Sequence, residues 1–245
     1  MPGAETIFFA LLGGILPALL WLWFWLQEDR LHPEPRGMII RTFIAGMIAV
    51  PLVLPIEQYF QAKYSFDFTF VIFLWACAEE VFKWAAAGLA AFDTKEYDEP
   101  IDAAVYMLTA ALGFSAMENT MFLLTSIANT GLVESFVTGN LRFIGATLLH
   151  VLASGIVGFF MGEAFYRGWF TKKIYLVVGL LSAIVLHALF NVYIMNYVGS
   201  NIFVLFGRSV EISRLFIIFA LVWVAVILLI VGFEKVKRLK DDRLM

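Results

Sequence analysis

The chain has 245 residues, of which 62% are hydrophobic and 15% charged, and its mean hydropathy is +0.86. Soluble domains sit near about 45–50% apolar and about 25% charged, so the composition excludes a water-soluble enzyme and defines an integral membrane protein. The formal net charge of −3 is spread over loops and leaves only a short basic tail, so no nucleic-acid partner is expected.

Seven apolar runs follow one another at 6–26, 38–60, 68–92, 103–126, 143–166, 174–198 and 212–233. A membrane-spanning helix takes roughly 20 apolar residues, and each run is long enough. Barrel strands would be about half that length and alternating. The fold class is therefore all-α: a polytopic transmembrane bundle of about seven helices, with residues 1–245 forming a single domain. The start of the chain lacks a positive stretch before its first apolar run, so no cleavable signal peptide is expected. Cys77, the single cysteine, excludes an intrachain disulfide and a cysteine-rich metal cage.

The first run is Trp-rich at Trp21, Trp23 and Trp25, which fits an aromatic belt at the inner membrane boundary. Pro51 and Pro55 in the second run predict a kinked or broken helix. Gly155, Gly158 and Gly162 give the fifth run a small-residue face for close helix packing. Loops rich in Lys and Arg stay cytoplasmic. Arg30, Arg36, Arg41, Lys95, Arg167, Lys172, Lys173, Lys235, Lys237, Arg238, Lys240 and Arg243 share one side, against Lys63, Arg142, Arg208 and Arg214 on the other. The expected location is the cell membrane, multi-pass, with the N-terminus outside and the C-terminus cytoplasmic. The basic tail then lies near anionic lipid headgroups.

The third run carries an anomaly, Glu79-Glu80-Val81-Phe82-Lys83. Charges at bilayer depth cost about 2.5–3.5 kcal/mol each on insertion scales. Lys83 reaches either glutamate along one helix face, at i,i+4 and i,i+3. One lysine balances one carboxylate and leaves the other needing a proton or a metal. Only Glu118, His150 and His187 are other strongly ionisable residues deep in a run, accompanied by Asn119 and Asn191. At about 1.5 Å per residue in straight helices, Glu80, Glu118, His150 and His187 all fall near the midplane or in the outer half. Four groups on four helices at similar depth are what a shared site requires.

Each group also has a plain structural role to set against this: a buried ion pair, an interhelical hydrogen bond, a protonated packing residue, or polar helix–helix glue for the asparagines. Asp102, following Pro100-Ile101, reads as a helix N-cap. Taken together, four independent structural uses at one depth are less economical than one site. A buried glutamate can act as general base on a water, with histidines and Asn191 stabilising an oxyanion. The same residues can form a first shell for zinc, with metal ligands drawn from Glu80, Glu118, His150 and His187. No HExxH is present, and no ligand spacing is metal-specific, which favours the metal-free route. A proton-coupled transporter or channel would place Glu and His at the same depth. No internal repeat of the transporter kind is evident. A non-catalytic membrane scaffold is a third reading.

In order, Glu79-Glu80-Val81-Phe82-Lys83, Asp102-Ala103-Ala104-Val105-Tyr106 with Gly113 to Asn119, His150 with its small-residue run, and His187-Ala188-Leu189-Phe190-Asn191 resemble the PrsW family of intramembrane proteases. That family is related to the CAAX-protease/Abi superfamily. The resemblance covers the third to sixth runs, 68–198, and departs at Ala78, where many members carry a third glutamate. It implies peptide-bond hydrolysis in or beside the membrane, acting on a single-pass membrane protein. The expected substrate is a membrane-anchored regulator such as an anti-sigma factor, cut at its first site. It further implies that Glu79 and Glu80 supply the base or a metal ligand, that Glu118, His150 and His187 complete the centre, and that Asn191 serves as oxyanion donor. The family is commonly labelled a metalloprotease, whereas its relatives support a metal-free glutamate mechanism. Glu80 is the nearer choice for the water-activating carboxylate and Glu79 for its support, although neighbours about 100° apart on a helix can exchange roles.

Overall fold

A computed structural model describes residues 3–29, 32–196, 200–205 and 208–239. Arg30, Lys240 and Arg243, used above for sidedness, and Val198 lie outside the described residues. Among the described residues, seven long helices build the fold: α1 (Ala4–Trp25), α2 (Arg36–Lys63), α3 (Phe68–Ala87), α4 (Asp102–Thr130), α5 (Leu132–Glu163), α6 (Trp169–Asn196) and α7 (Arg214–Lys237). A 3-10 turn, Leu26–Asp29, extends α1, and a π-type turn, Gly88–Phe92, extends α3. Between α6 and α7 two short antiparallel strands, β1 (Ser200–Leu205) and β2 (Arg208–Ser213), form a hairpin that the apolar pattern does not announce.

Among the described residues, five helical segments are long and apolar enough to cross a membrane: Ala4–Asp29, Arg36–Lys63, Asp102–Asn129, Gly145–Glu163 and Trp169–Ile194. The chain is thus a multi-pass helical membrane protein. The apolar character of α3 is interrupted by its own chemistry, because Glu79, Glu80 and Lys83 lie together in its 20 residues. Two sequence expectations change. Helix α2 runs unbroken through Pro51 and Pro55; neighbouring helices can compensate for the backbone donors that proline lacks. Of the three tryptophans at the end of α1, only Trp23 faces outward, while Trp25 is buried against Phe233 of α7 at 5.8 Å.

Helix α4 is the axis of the molecule, with its first four turns buried almost throughout. It touches α1, α2, α3 and α5. The crossings are set by missing side chains. A Cβ on Gly46 would strike the Ala110 backbone, and one on Gly113 would strike the Phe43 backbone, so α2 and α4 meet main chain to main chain. Gly158 does the same for α5 against Ala104 of α4. Small residues of this kind let helices approach closely in membranes, where packing rather than hydrophobic exclusion drives association. At the basic end of the bundle, Lys237 of α7 donates to Glu28, beside α1, and to Glu234, both at 2.7 Å. That contact holds the Glu234 carboxyl below its ordinary value.

Candidate active site

Four helices deliver the ionisable side chains to one point. Helix α3 contributes Glu79, Glu80 and Lys83; α4 contributes Glu118; α5 contributes His150; α6 contributes His187. Glu80, Lys83, His150 and His187 are each at most 2% exposed.

Glu80 is fully engaged. Its Oε1 accepts from Lys83 Nζ at 2.5 Å and from His187 Nδ1 at 2.7 Å, and its Oε2 accepts a longer bond of 3.4 Å from Ser154 Oγ. Lys83 also bonds His150 Nδ1 at 2.9 Å and lies over the Phe114 ring at 5.1 Å. An ammonium has donors only, so His150 Nδ1 is the acceptor. The other ring nitrogen, Nε2, then carries the proton and donates to Glu118 Oε2 at 2.8 Å. By the same reasoning His187 donates from Nδ1 to the Glu80 carboxylate and keeps its lone pair on Nε2. The two imidazoles stand edge to face, 5.2 Å apart.

Glu79 differs from its neighbour. Its Oε2 is buried, has no hydrogen-bond partner, and lies 3.8 Å from both His150 Nδ1 and His187 Nε2. Glu79, His150 and His187 present ligand atoms that all lie within 4.8 Å of one another. The convergent set is therefore centred on Glu79, and Glu80 and Glu118 sit behind the histidines, each holding one ring nitrogen. One carboxylate and two imidazoles are a zinc-type donor set, and carboxylates bonded to the distal imidazole nitrogens are the usual support of such ligands. The orphaned Glu79 oxygen and this donor set fit a metal ion. Glu118 is the most exposed member of the group, at 30%.

The asparagines separate from the cluster. Asn119 donates to Ser115 and Thr147 at 3.3 and 3.2 Å and joins α4 to α5. Asn191 lies one turn beyond His187 on α6, half-buried. Sequence reasoning overlooked Glu57 of α2, whose carboxyl is within hydrogen-bonding reach of Glu79 and close to Glu118. The signal was available as a carboxylate two residues after Pro55, inside an apolar run.

A multi-pass membrane protein that buries carboxylates against two oriented imidazoles where four helices meet has the anatomy of an intramembrane hydrolase. Residues 34–231 match the model of a family described as PrsW family intramembrane metalloprotease. Relatives named Protease PrsW include one from Oceanobacillus iheyensis, 31% identical over 180 residues, covering 73% of this chain and 79% of the relative. Another, from Halalkalibacterium halodurans, is 25% identical over 205 residues, 81% of this chain and 89% of the relative. A third, from Bacillus subtilis, is 25% identical over 176 residues, 71% and 77% respectively. The chain belongs to the PrsW family of intramembrane proteases and is an enzyme, a protease. No solved structure matches it significantly.

Proposed function

We propose that this protein is an endopeptidase that cuts a single-pass, membrane-anchored regulatory protein, of the anti-sigma-factor kind, at its first site. The observation that carries the chemical reading is the unpartnered Glu79 Oε2 between two histidines whose outer nitrogens are held by Glu80 and Glu118. Without a metal, Glu79 meets the water that attacks the scissile carbonyl; with one, its carboxylate is a ligand instead. His187, held by Glu80, turns its Nε2 lone pair toward that water, His150, held by Glu118, stands opposite with its Nδ1 on Lys83, and Asn191 is the neutral oxyanion donor one turn away. Glu80 positions rather than reacts, because both of its oxygens are committed.

Glu79, His150 and His187 would hold a zinc ion. Such an ion, when bound, polarises a carbonyl and acidifies water. Lys83 would then turn wholly to Glu80 and free His150 Nδ1. The convergence of these donors favours the metal-assisted route over the metal-free one expected from spacing alone.

The proposed topology has seven spans, α3 and α7 included, with the N-terminus outside and the C-terminus cytoplasmic among anionic lipids. Residues 1–245 form a single protease domain whose working core is 68–198. A reporter fused to the C-terminus tests this: activity only on the outer face would reverse the orientation.

The decisive experiment co-expresses a panel of single-pass substrates with wild type and with Glu79→Gln and His187→Ala. Cleavage of at least one substrate by wild type, lost in both variants while each still inserts, is the expected result. Cleavage that persists in both removes the cluster from the chemistry. Metal analysis of the purified chain decides the zinc: about one ion per chain, lost with His187→Ala, is expected.

A further inference from the structure

We infer that Asp29, Glu34 and Asp102 form a second site, for a hard divalent cation of the Mg2+ or Ca2+ class, at the N-terminal end of α4, well removed from the proteolytic cluster near the middle of that helix. Sixteen residues of α4 separate Asp102 from Glu118, about 24 Å at the helical rise, so the two groups share no ligand.

Three carboxylates from three segments converge there. Asp29 ends the turn after α1, Glu34 lies just before α2, and Asp102 opens α4. Their nearest oxygens lie within 4.8 Å of one another. Asp29 is 6% exposed and Asp102 1%. Buried carboxylates at this spacing demand a proton, a cationic side chain or a metal. Among the described residues no Lys or Arg pairs with any of the three. Of the described cations nearby, His32 pairs with Glu99 at 2.8 Å and Lys237 with Glu28 and Glu234, while Arg36 lines the adjoining cavity without an ion pair to the three.

The hydrogen bonds explain only part of the group. Asp102 does not cap its own helix, since Ile101 holds the N-cap position. Its Oδ2 instead accepts from the amides of Asp98 and Glu99 at 2.9 and 2.6 Å, which fixes the carboxylate in place. Tyr106, one turn along, donates its hydroxyl to Glu34. Among the described residues, Asp29 Oδ2 is buried without a hydrogen-bond partner. That orphaned oxygen marks a ligand rather than a finished network. A cavity of about 390 Å³ lined by Leu26, Asp29, Glu34 and Arg36 gives a route in. All-oxygen donors without sulfur or imidazole select hard cations. A cation here would clip the end of α1 and the entry to α2 onto the start of α4, on the face that carries most of the Lys and Arg.

The test uses the full-length chain in detergent, in a Glu79→Gln background that disables the other metal group. Mn2+ is titrated by electron paramagnetic resonance and displaced with Mg2+ or Ca2+. We expect about one bound Mn2+ per chain, displaced by one of these cations, with affinity weakened about tenfold or more when Asp29→Asn is added. Unchanged affinity in the double variant overturns the site, as does the lack of any binding up to about 1 mM Mn2+. Because Asp29→Asn can also loosen the fold, the melting temperature of Glu79→Gln is compared in chelator and in Mg2+ or Ca2+. A rise with either cation supports the site; no change with both assigns the group to a shared proton instead.

Discussion

Glu79 Oε2 and His187 Nε2 face each other at 3.8 Å, the carboxylate oxygen without a partner and the imidazole already anchored through its other nitrogen to Glu80. Two adjacent glutamates on one helix are thus driven into different roles by their surroundings. One is saturated by hydrogen bonds and buried completely; the other is left open toward two nitrogens.

This asymmetry separates the two substitutions. Glu79→Gln keeps shape and removes the charge proposed to act in the site, so cleavage should fall by about 10²–10⁴-fold with little change in melting temperature. Glu80→Gln strips Lys83 of its counter-charge and leaves His187 only a neutral amide oxygen as acceptor, so both activity and stability should drop. Turnover and thermal unfolding measured on the same preparations distinguish them. Equal stability losses for the two variants would contradict the assignment.

Glu57 offers a check that the family resemblance did not prompt. It approaches Glu79 and Glu118 from α2, with its backbone carbonyl held by Trp75 Nε1 at 3.0 Å. Glu57→Gln should lower kcat by roughly tenfold while leaving KM and the melting temperature near wild type, because it tunes Glu79 without carrying the fold. A change confined to KM would place Glu57 on the substrate path instead.

What the sequence displayed and what it hid follow from the kind of signal each residue leaves. Glu118, His150 and His187 stand out because a charge or imidazole is rare in an apolar run, and depth arithmetic places them at one level. Rotation about each helix axis is not visible that way, so the exchange of Glu79 and Glu80 at the open position emerges only in three dimensions. Likewise Pro51 and Pro55 read as a kink or a break in α2, and the break does not occur, since a local rule cannot see neighbours that tolerate the proline. The acidic group around Asp29 was invisible because Asp102 lies far along the chain from Asp29 and Glu34, and all three sit near helix ends, where carboxylates are ordinary. The hairpin Ser200–Leu205 with Arg208–Ser213 is short and bounded by apolar helices, so its alternation is lost in the background.

The crossing of α2 and α4 makes a mechanical prediction. Gly46 and Gly113 meet the opposing backbone directly. Leucine at either position forces apart the helices that carry Glu57 and Glu118. Overpacking of this kind typically costs about 1–3 kcal/mol, and with rigid main chain as the obstacle the loss should sit at the upper end. Gly37→Leu, which meets open space, is the control. Thermal unfolding in detergent should show a clear drop for Gly46→Leu and Gly113→Leu and none for the control.

Lys83 gives the most discriminating test of the buried network. It is completely enclosed, donates to Glu80 and His150, and stacks over Phe114. Removing one member of a buried pair typically costs about 3–5 kcal/mol, because the survivor is left charged and unpaired. Lys83→Met should therefore destabilise strongly through Glu80. The double variant Glu80→Gln, Lys83→Met removes both charges and should recover part of that loss, even though activity stays low because a neutral amide replaces the carboxylate behind His187. A double-mutant cycle on the melting free energy isolates the coupling, which for contacting residues falls at about 0.5–3 kcal/mol. Additive losses would mean that Lys83 belongs to His150 rather than to Glu80. In that case Lys83→Met alone should shift the imidazole signals of His150 while leaving those of His187 in place.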